Sequence, residues 1–333
     1  MPIELPNITS EWIDKIFGAK QADFDELALQ TFCFQYTHNT IYGQYAKAVG
    51  RTPQQVQQVS DIPFLPVRFF KSHRVTTTDF TPEVIFESSG TTQTTNSRHY
   101  VKETAVYTRS FLQAFEQFYD HPSGWCIIGL LPAYLERQHS SLVVMADELV
   151  RQSHHADSGF YLYDHEKLSG VLQRLEQQGQ KTLLLGVTFA LLDFAADYPM
   201  QLKHTTIMET GGMKGRREEW TRQQVHDFLQ QQLGVGSVHS EYGMTELLSQ
   251  AYSYGNGIFN CPGWMKIILR QDDDPFQLAT TGSGVINVID LANIYSCSFI
   301  ATDDIGKCYA DGSFEVLGRL DNSDLRGCSL LSI

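Results

Sequence analysis

The stretch FESSGTTQTTNSR, residues 86–98, places the hydroxyls of Ser88, Ser89, Thr91, Thr92, Thr94 and Thr95 around Gly90, behind the apolar run VIF. Read as a strand running into a glycine loop and then a helix, it presents backbone N–H groups and neutral donors to an anion. Arg98 adds positive charge, and a polyphosphate is the natural guest. Neither a Walker A sequence nor a dinucleotide G-x-G-x-x-G is present. Alone, such a Ser/Thr cluster reads as an ordinary polar turn. Two further segments bear on the choice. EYGMTE, Glu241 to Glu246, combines an aromatic ring, a glycine turn, a hydroxyl and a carboxylate. That set suits stacking on adenine, a bond to a phosphate oxygen and a seat for Mg²⁺, which prefers carboxylate and phosphate oxygens. Ala301 to Gly327, ATDDIGKCYADGSFEVLGRLDNSDLRG, supplies carboxylates for ribose hydroxyls and then a Gly-Arg pair. It also reads as a hairpin turning at Asp311-Gly312.

The elements that would position these segments follow from hydrophobic period. Ser10 to Phe17 reads as a short helix, and Asp23 to Val49 carries apolar residues at helical spacing up to Gly50. IPFLPVRFF reads as an extended connector. VIFE, WCIIGLLP, KTLLLGV, HTTIMET and SVHSEYG read as strands. Between them lie helical stretches at about 103–119, 141–150 and 165–178, then FALLDFAADY and EEWTRQQVHDFLQQQLG. That alternation predicts a mostly parallel sheet covered on both faces. Beyond residue 247 the pattern turns β-rich, with WMKIILR, GVINVID and SFEVLGRL.

Composition narrows the class. The chain has 333 residues, 42% of them hydrophobic, and a formal net charge of −13 without blocks of like charge. That excludes a protein living on nucleic acid or an anionic membrane surface. Cys33, Cys126, Cys261, Cys297, Cys308 and Cys328 show no zinc-like spacing and read as reduced thiols of a cytoplasmic protein. The start has no basic region followed by an apolar core, so no signal peptide is expected, and no run is apolar enough for an integral membrane segment. The His154-His155 pair with Asp157 and His165 lacks a shared face for a metal. His139-Ser140-Ser141 is not a hydrolase elbow, and Gly186 to Phe189 is a candidate acyl pocket.

The order of the three segments resembles the adenylate-forming superfamily of acyl-CoA synthetases and relatives. FESSGTT resembles its phosphate loop, Gly211-Gly212 and YGMTE its adenine and magnesium motifs, and TDDIG…DG…LGRLD its ribose motif leading into the hinge. Within it, IPFLPVRFFKSH, SSGTT…SRHYV, LPAYLERQHSSLVVMADEL and RGCSL are similar to the acyl-protein synthetase (LuxE-type) family, from about residue 60 onward. The resemblance implies an α/β fold, a large adenylate-forming N-terminal-type domain over 61–320 behind a helical segment 1–60. Residues 321–333 would be a hinge remnant and tail, without the usual small C-terminal domain. It implies ATP and Mg²⁺ as cofactors and a carboxylic, fatty-type acid as substrate. Ser88, Ser89, Gly90, Thr91 and Thr92 would hold the β- and γ-phosphates, helped by Arg98. Tyr242 would pack on adenine, with Gly211, Gly212 and Gly243 allowing close backbone approach. Thr245 would contact the α-phosphate, Glu246 would ligate Mg²⁺, Asp304 would bind ribose, and Arg319 the ribose and phosphate region. Cys328 matches the cysteine that the family acylates, and Arg326 nearby favours its thiolate. The partner would be an acyl-CoA-reductase-like subunit, with an acyl carrier protein or CoA as alternatives. Gln93 replaces a glycine of the loop pattern, its lysine is missing, and no lysine follows Lys307. An acyl- or aryl-CoA ligase completed by a separate chain, or a binding scaffold without turnover, are the rival readings.

Overall fold

The computed structural model describes residues 10–88, 96–131, 139–211 and 220–320. Ser89, Gly90, Thr91, Thr92, Gly212 and Cys328 lie outside them. The chain begins with helices α1 (Ser10–Phe17), α2 (Phe24–His38) and α3 (Thr40–Ala48). The long helical period over 23–49 is thus split at Asn39, whose backbone is extended and whose side chain accepts from Tyr42 N to cap α3. The proline-bracketed connector contributes only β1 (Leu65–Pro66) before a single turn, α4 (Phe69–Ser72).

β2 (Val84–Glu87) then pairs antiparallel with β3 (Arg98–Val101), and α5 (Thr104–Tyr119) follows β3. This corrects the expected strand, glycine loop and helix. The Ser/Thr segment lies between two strands of a separate hairpin, so no helix N-terminus follows it directly.

Next come β4 (Cys126–Leu130), α6 (Ser141–Ser153), β5 (Gly159–Phe160), α7 (His165–Gln178), β6 (Thr182–Gly186), α8 (Thr188–Asp197), β7 (Thr205–Thr210), α9 (Arg222–Leu233) and β8 (Val238–Tyr242). α9 starts later than its sequence period suggested, because Thr221 and Gln224 form a capping box there. The β-rich remainder is β9 (Ala251–Ser253), β10 (Phe259–Asn260), β11 (Met265–Arg270), β12 (Leu278–Ala279), β13 (Gly282–Asp290), β14 (Phe299–Cys308) and β15 (Phe314–Arg319). β14 and β15 form the hairpin expected to turn at Asp311-Gly312, and β14 begins before Ala301, at Phe299.

Among the described residues thirteen strands join in one sheet, in the order β12-β11-β13-β14-β15-β10-β9-β8-β7-β6-β4-β5, with β1 beside β14. The run β5-β4-β6-β7-β8 is parallel, and the path from β8 to β12 is antiparallel throughout. β4 and β6 are buried along their whole length, which explains their unbroken CIIGL and TLLLG. Alternate residues serve two cores. Ile128, Leu184, Ile207 and Val238 pack with α7, α8 and α9, while Ile127, Leu183, Leu185 and Met208 face the larger core with α5 and α6.

The N-terminal helices share that larger core, with Phe32 and Phe34 in the same cluster as Trp264, Leu291 and Phe299. Gln35 fixes their place. Its amide nitrogen lies within 3.2 Å of Asn293 O, Ile294 O and Ser298 Oγ, and its oxygen accepts from Ser298 N at 2.9 Å, all buried. Gln35→Leu keeps the volume and leaves those groups unpaired, a cost of about 3 kcal/mol. Urea unfolding should show a lower midpoint at an unchanged slope; an unchanged midpoint would mean that the helices are held by packing alone.

Candidate active site

Three side chains converge where β8, β14 and β15 end or cross. Tyr242, the last residue of β8, donates its hydroxyl to Asp304 Oδ2 at 2.8 Å. Antiparallel pairing sets Asp304 directly opposite Arg319, whose Nε donates to Asp304 Oδ1 at 3.1 Å. Phe314 and Phe259 hold the Tyr242 ring edge-on, with centroids 5.6 and 6.0 Å away. Burial and the Asp304 carboxylate keep the phenol well above its usual range, so it is a fixed donor. The Arg319 side chain is 68% exposed and Asp304 13%. This ion pair is therefore a recognition surface more than a source of stability. Each carboxylate oxygen retains lone-pair capacity for a further donor such as a ribose hydroxyl.

The turn after Tyr242 carries Thr245 and Glu246, and buried polar groups from remote elements pin it. His99 on β3 lies with Nδ1 2.8 Å from Thr245 O. Since a carbonyl only accepts, that nitrogen bears the proton. Burial pushes the His99 ring down to about 4, so it is neutral near pH 7. Asn293 donates to Glu246 O at 2.7 Å. Asp290, at the end of β13, accepts from Leu248 N, Ser249 N, Ser249 Oγ and Ala292 N at 2.6–3.2 Å.

Glu246 itself is 5% exposed. Burial raises its carboxyl, against a hydrogen bond with Ser97 and the charges of Arg319 and Lys71. Ser97 and Ser88 close the neck of the Ser/Thr segment: Ser97 N donates to Ser88 Oγ at 2.9 Å and Ser88 N to Ser97 O at 3.1 Å. The neck of the segment, at Ser88 and Ser97, and the buried carboxylate are thus brought together. A lone carboxylate held up by burial is a fitting anchor for a Mg²⁺ whose other ligands are phosphate oxygens and water. Among the described residues no three His, Cys, Asp or Glu side chains cluster as a metal cage.

Other expected residues sit differently. Arg98 alternates with His99 on β3, so it projects from the opposite face of the hairpin and pairs with Glu87 at 3.2 Å. Gly211 follows β7 with φ +69°, and among the described residues nothing lies within 4 Å of where a Cβ would stand. Its positive φ by itself calls for glycine. Its carbonyl accepts from Thr188 Oγ1 at 2.7 Å, tying the β6–α8 junction to it. At Gly243 the close neighbour is internal: a Cβ would stand 2.4 Å from Glu241 Oε1. Glu241 is 9% exposed, accepts from the Thr210 hydroxyl, and is pushed up to about 7 by burial and by Glu209.

Sequence reasoning assigned no role to Ser97, His99, Lys71, Glu241, Asp290 or Asn293. Their partners are up to 146 residues away in the case of His99. Only the apolar flanks of Asp290 and Asn293 hinted that these polar residues are buried.

This sheet, parallel and then antiparallel, with its site at the strand ends, is the fold of the N-terminal domain of adenylate-forming enzymes. A family model for "Acyl-protein synthetase, LuxE" matches residues 11–332, and the chain belongs to that family. Among solved structures it is similar to MatB from Rhodopseudomonas palustris with ATP bound, at TM-score 0.53 and 15% identity over 72% of this chain and 49% of that one. A 2-hydroxyisobutyryl-CoA ligase in an open conformation with 2-HIB-AMP and CoA gives TM-score 0.62 and 12% identity over 96% of this chain and 80% of that one. The same ligase in the postadenylation state with R3-HIB-AMP gives 0.64 and 12% over 96% and 73%. At these identities the likeness is one of fold, and the chain spans about half the length of MatB. Among curated proteins none matches the sequence.

Two outcomes follow. Asp290→Ala strips an acceptor from the turn, so amide protection of Leu248 and Ser249 in hydrogen exchange should fall about 10²-fold. Unchanged protection would show that another group holds the turn. Glu241 has a folded pKa raised from 4.5 to about 7. Its contribution to stability is fully present below pH 4.5 and lost as pH rises through 7, an effect of about 3 kcal/mol. Glu241→Gln should therefore gain on the wild type by that order between pH 4.5 and 8 in urea unfolding. A constant difference would refute the raised pKa.

Proposed function

We propose that the protein activates a carboxylic acid of the fatty type with Mg·ATP and passes the acyl group to a cysteine of its own. The observation that carries this reading is the seating of the buried Glu246 carboxylate against Ser97, at the neck of the Ser88–Ser97 segment, beside the Tyr242–Asp304–Arg319 cluster. One end of that arrangement suits a polyphosphate and the other a nucleoside. Its place at the carboxyl ends of the parallel strands, where the sheet turns antiparallel, is where open α/β sheets bind ligands. The family and the ATP- and AMP-ester-bound structures of similar fold support the same reading.

In the proposed reaction a carboxylate oxygen of the acid attacks the α-phosphorus of ATP. The bond to pyrophosphate breaks, leaving acyl-AMP. Thr245 hydrogen-bonds the α-phosphate, while Ser88, Ser89, Gly90, Thr91 and Thr92 hold the β- and γ-phosphates. Asp304 and Arg319 take the ribose and its phosphate. Tyr242, with Gly211 and Gly212, takes the adenine. Glu246 would hold a Mg²⁺, which when bound would supply positive charge to offset the negative charge developing on the departing pyrophosphate. The protein's contribution is orientation and fixed dipoles rather than covalent chemistry at this step. The Cys328 thiolate then attacks the acyl carbon, AMP leaves and a thioester forms. An acyl-CoA-reductase-like subunit or an acyl carrier protein would receive the acyl group.

The fold likeness to a CoA ligase favours a second reading, in which CoA is the acceptor and Cys328 is inert. ATP–pyrophosphate exchange with Mg²⁺ and a panel of acids tests the first step. Exchange should require an acid and drop by about 10²-fold or more in Glu246→Ala; exchange that survives this change would remove Glu246 from the site. Cys328→Ser should leave exchange intact and abolish acyl-protein formation from labelled acid. Intact acylation, or release of acyl-CoA instead, would move the acceptor elsewhere.

A further inference from the structure

A buried polar cluster lies under the Gly243 turn, and the adenylation step makes no use of it. Glu241 on β8 stands opposite Thr210 of β7 on one side and Tyr252 of β9 on the other, so the three share one face of three adjacent strands. Thr210 is 5% exposed, Glu241 9%, Tyr252 1% and the neighbouring Gln250 4%. The Thr210 hydroxyl donates to Glu241 Oε2. The Tyr252 hydroxyl and the Gln250 amide oxygen have no hydrogen-bond partner among the described residues. Buried polar atoms in that condition are uncommon in native proteins and mark a missing partner. The two unpartnered atoms, Gln250 Oε1 and the Tyr252 oxygen, can both accept, beside the Glu241 carboxyl.

The cluster also faces the right place. A Cβ on Gly243 would lie 2.4 Å from Glu241 Oε1 and 3.3 Å from Gln250 Cγ. Gly243, in the turn that carries Thr245 and Glu246, therefore stands directly against Glu241 and Gln250. Thr210, its other wall, directly precedes Gly211.

We propose that this cluster is the specificity end of the acid pocket, and that it receives a hydrogen-bond donor, a hydroxyl or an amine, carried by the substrate acid within a few carbons of its carboxyl group. The proposal rests on the adenylation reading and narrows its substrate. A plain alkyl chain would leave the Gln250 and Tyr252 oxygens unpaired, whereas a site built to pair such a group rejects the analogue lacking it.

The test uses the full chain and acids matched in length: unsubstituted, 2- or 3-hydroxy, and 2- or 3-amino. In ATP–pyrophosphate exchange the wild type should favour one substituted series over the unsubstituted acid by at least tenfold in kcat/KM. Tyr252→Phe and Gln250→Leu should each narrow that preference tenfold or more while leaving the rate with the unsubstituted acid unchanged or higher. A better hydroxy than amino series identifies a neutral donor, and the reverse order a cation facing ionised Glu241. Equal use of the unsubstituted acid by the wild type, or an equal loss for all acids in both variants, overturns the proposal. Tyr252→Phe deletes one oxygen, and the ligand-free variant should unfold no more easily than the wild type. A tenfold or greater drop in its folding equilibrium constant would show that the hydroxyl is satisfied internally, and would also overturn it. No exchange with any acid, in protein that binds ATP by calorimetry, counts against adenylation instead. Direct titration of the acids then decides the pocket: preferential binding of a substituted acid that Tyr252→Phe abolishes sustains it, and its absence overturns it.

Discussion

Asp290 is a fully buried carboxylate with four donors aimed at it, and the site is built around that constraint. Burial pushes it up to about 6, against all four hydrogen bonds. A group so costly to desolvate is retained where each of its bonds fixes a separate piece of chain. Here the pieces are the end of β13, the Leu291–Asn293 turn and the residues just after Glu246. Asn293 in that same turn holds Glu246 O, and Gln35 from α2 reaches Asn293 O. The position of a proposed metal ligand thus depends on a chain of buried amides running back to the N-terminal helices.

The change from parallel to antiparallel pairing at β8/β9 does the remaining placement. Parallel strands deliver Gly211 and Tyr242 to one edge of the sheet, and the antiparallel hairpin β14–β15 brings Asp304 and Arg319 to meet them. The separate β2–β3 hairpin docks on this edge through His99, whose neutral ring donates to Thr245 O. Two of the three sequence segments are therefore joined by buried hydrogen bonds, of His99 to Thr245 O and of Ser97 with the Glu246 carboxyl. The third, around Asp304, is joined through the Tyr242 hydroxyl.

The alternation on β8 gives one strand two tasks. Tyr242 turns toward Asp304 and the aromatic pair Phe259 and Phe314, while Glu241 turns toward Thr210 and Tyr252. Glu241 is buried and Tyr242 half-buried, and Tyr242 has its partners, whereas Tyr252 and Gln250 beside Glu241 lack theirs among the described residues. Gly243 permits this by having no side chain where the Glu241 carboxyl lies.

Hydrophobic period was enough to identify the parallel half and the β-rich remainder, while the family, and Tyr242, Thr245, Glu246, Asp304 and Arg319 as one candidate set, came from the resemblance of short motifs. Those features are local: CIIGL and TLLLG are buried on both faces, and a Gly-x-Thr-Glu turn carries its own chemistry. The break at Asn39 and the strand β3 after the Ser/Thr segment were not legible, because neither shows in the local hydrophobic period. Arg98 shows the limit most plainly. Its charge and spacing fit a phosphate, but pairing of β2 with β3 turns it to the face opposite His99 and toward Glu87. The sequence by itself determined which residue types are present and which strands must be buried, since both follow from side-chain chemistry and the period of two. Only the tertiary structure decided which polar residues face one another, because the contacts of His99, Asp290, Asn293 and Glu241 are set by strand register and long-range packing.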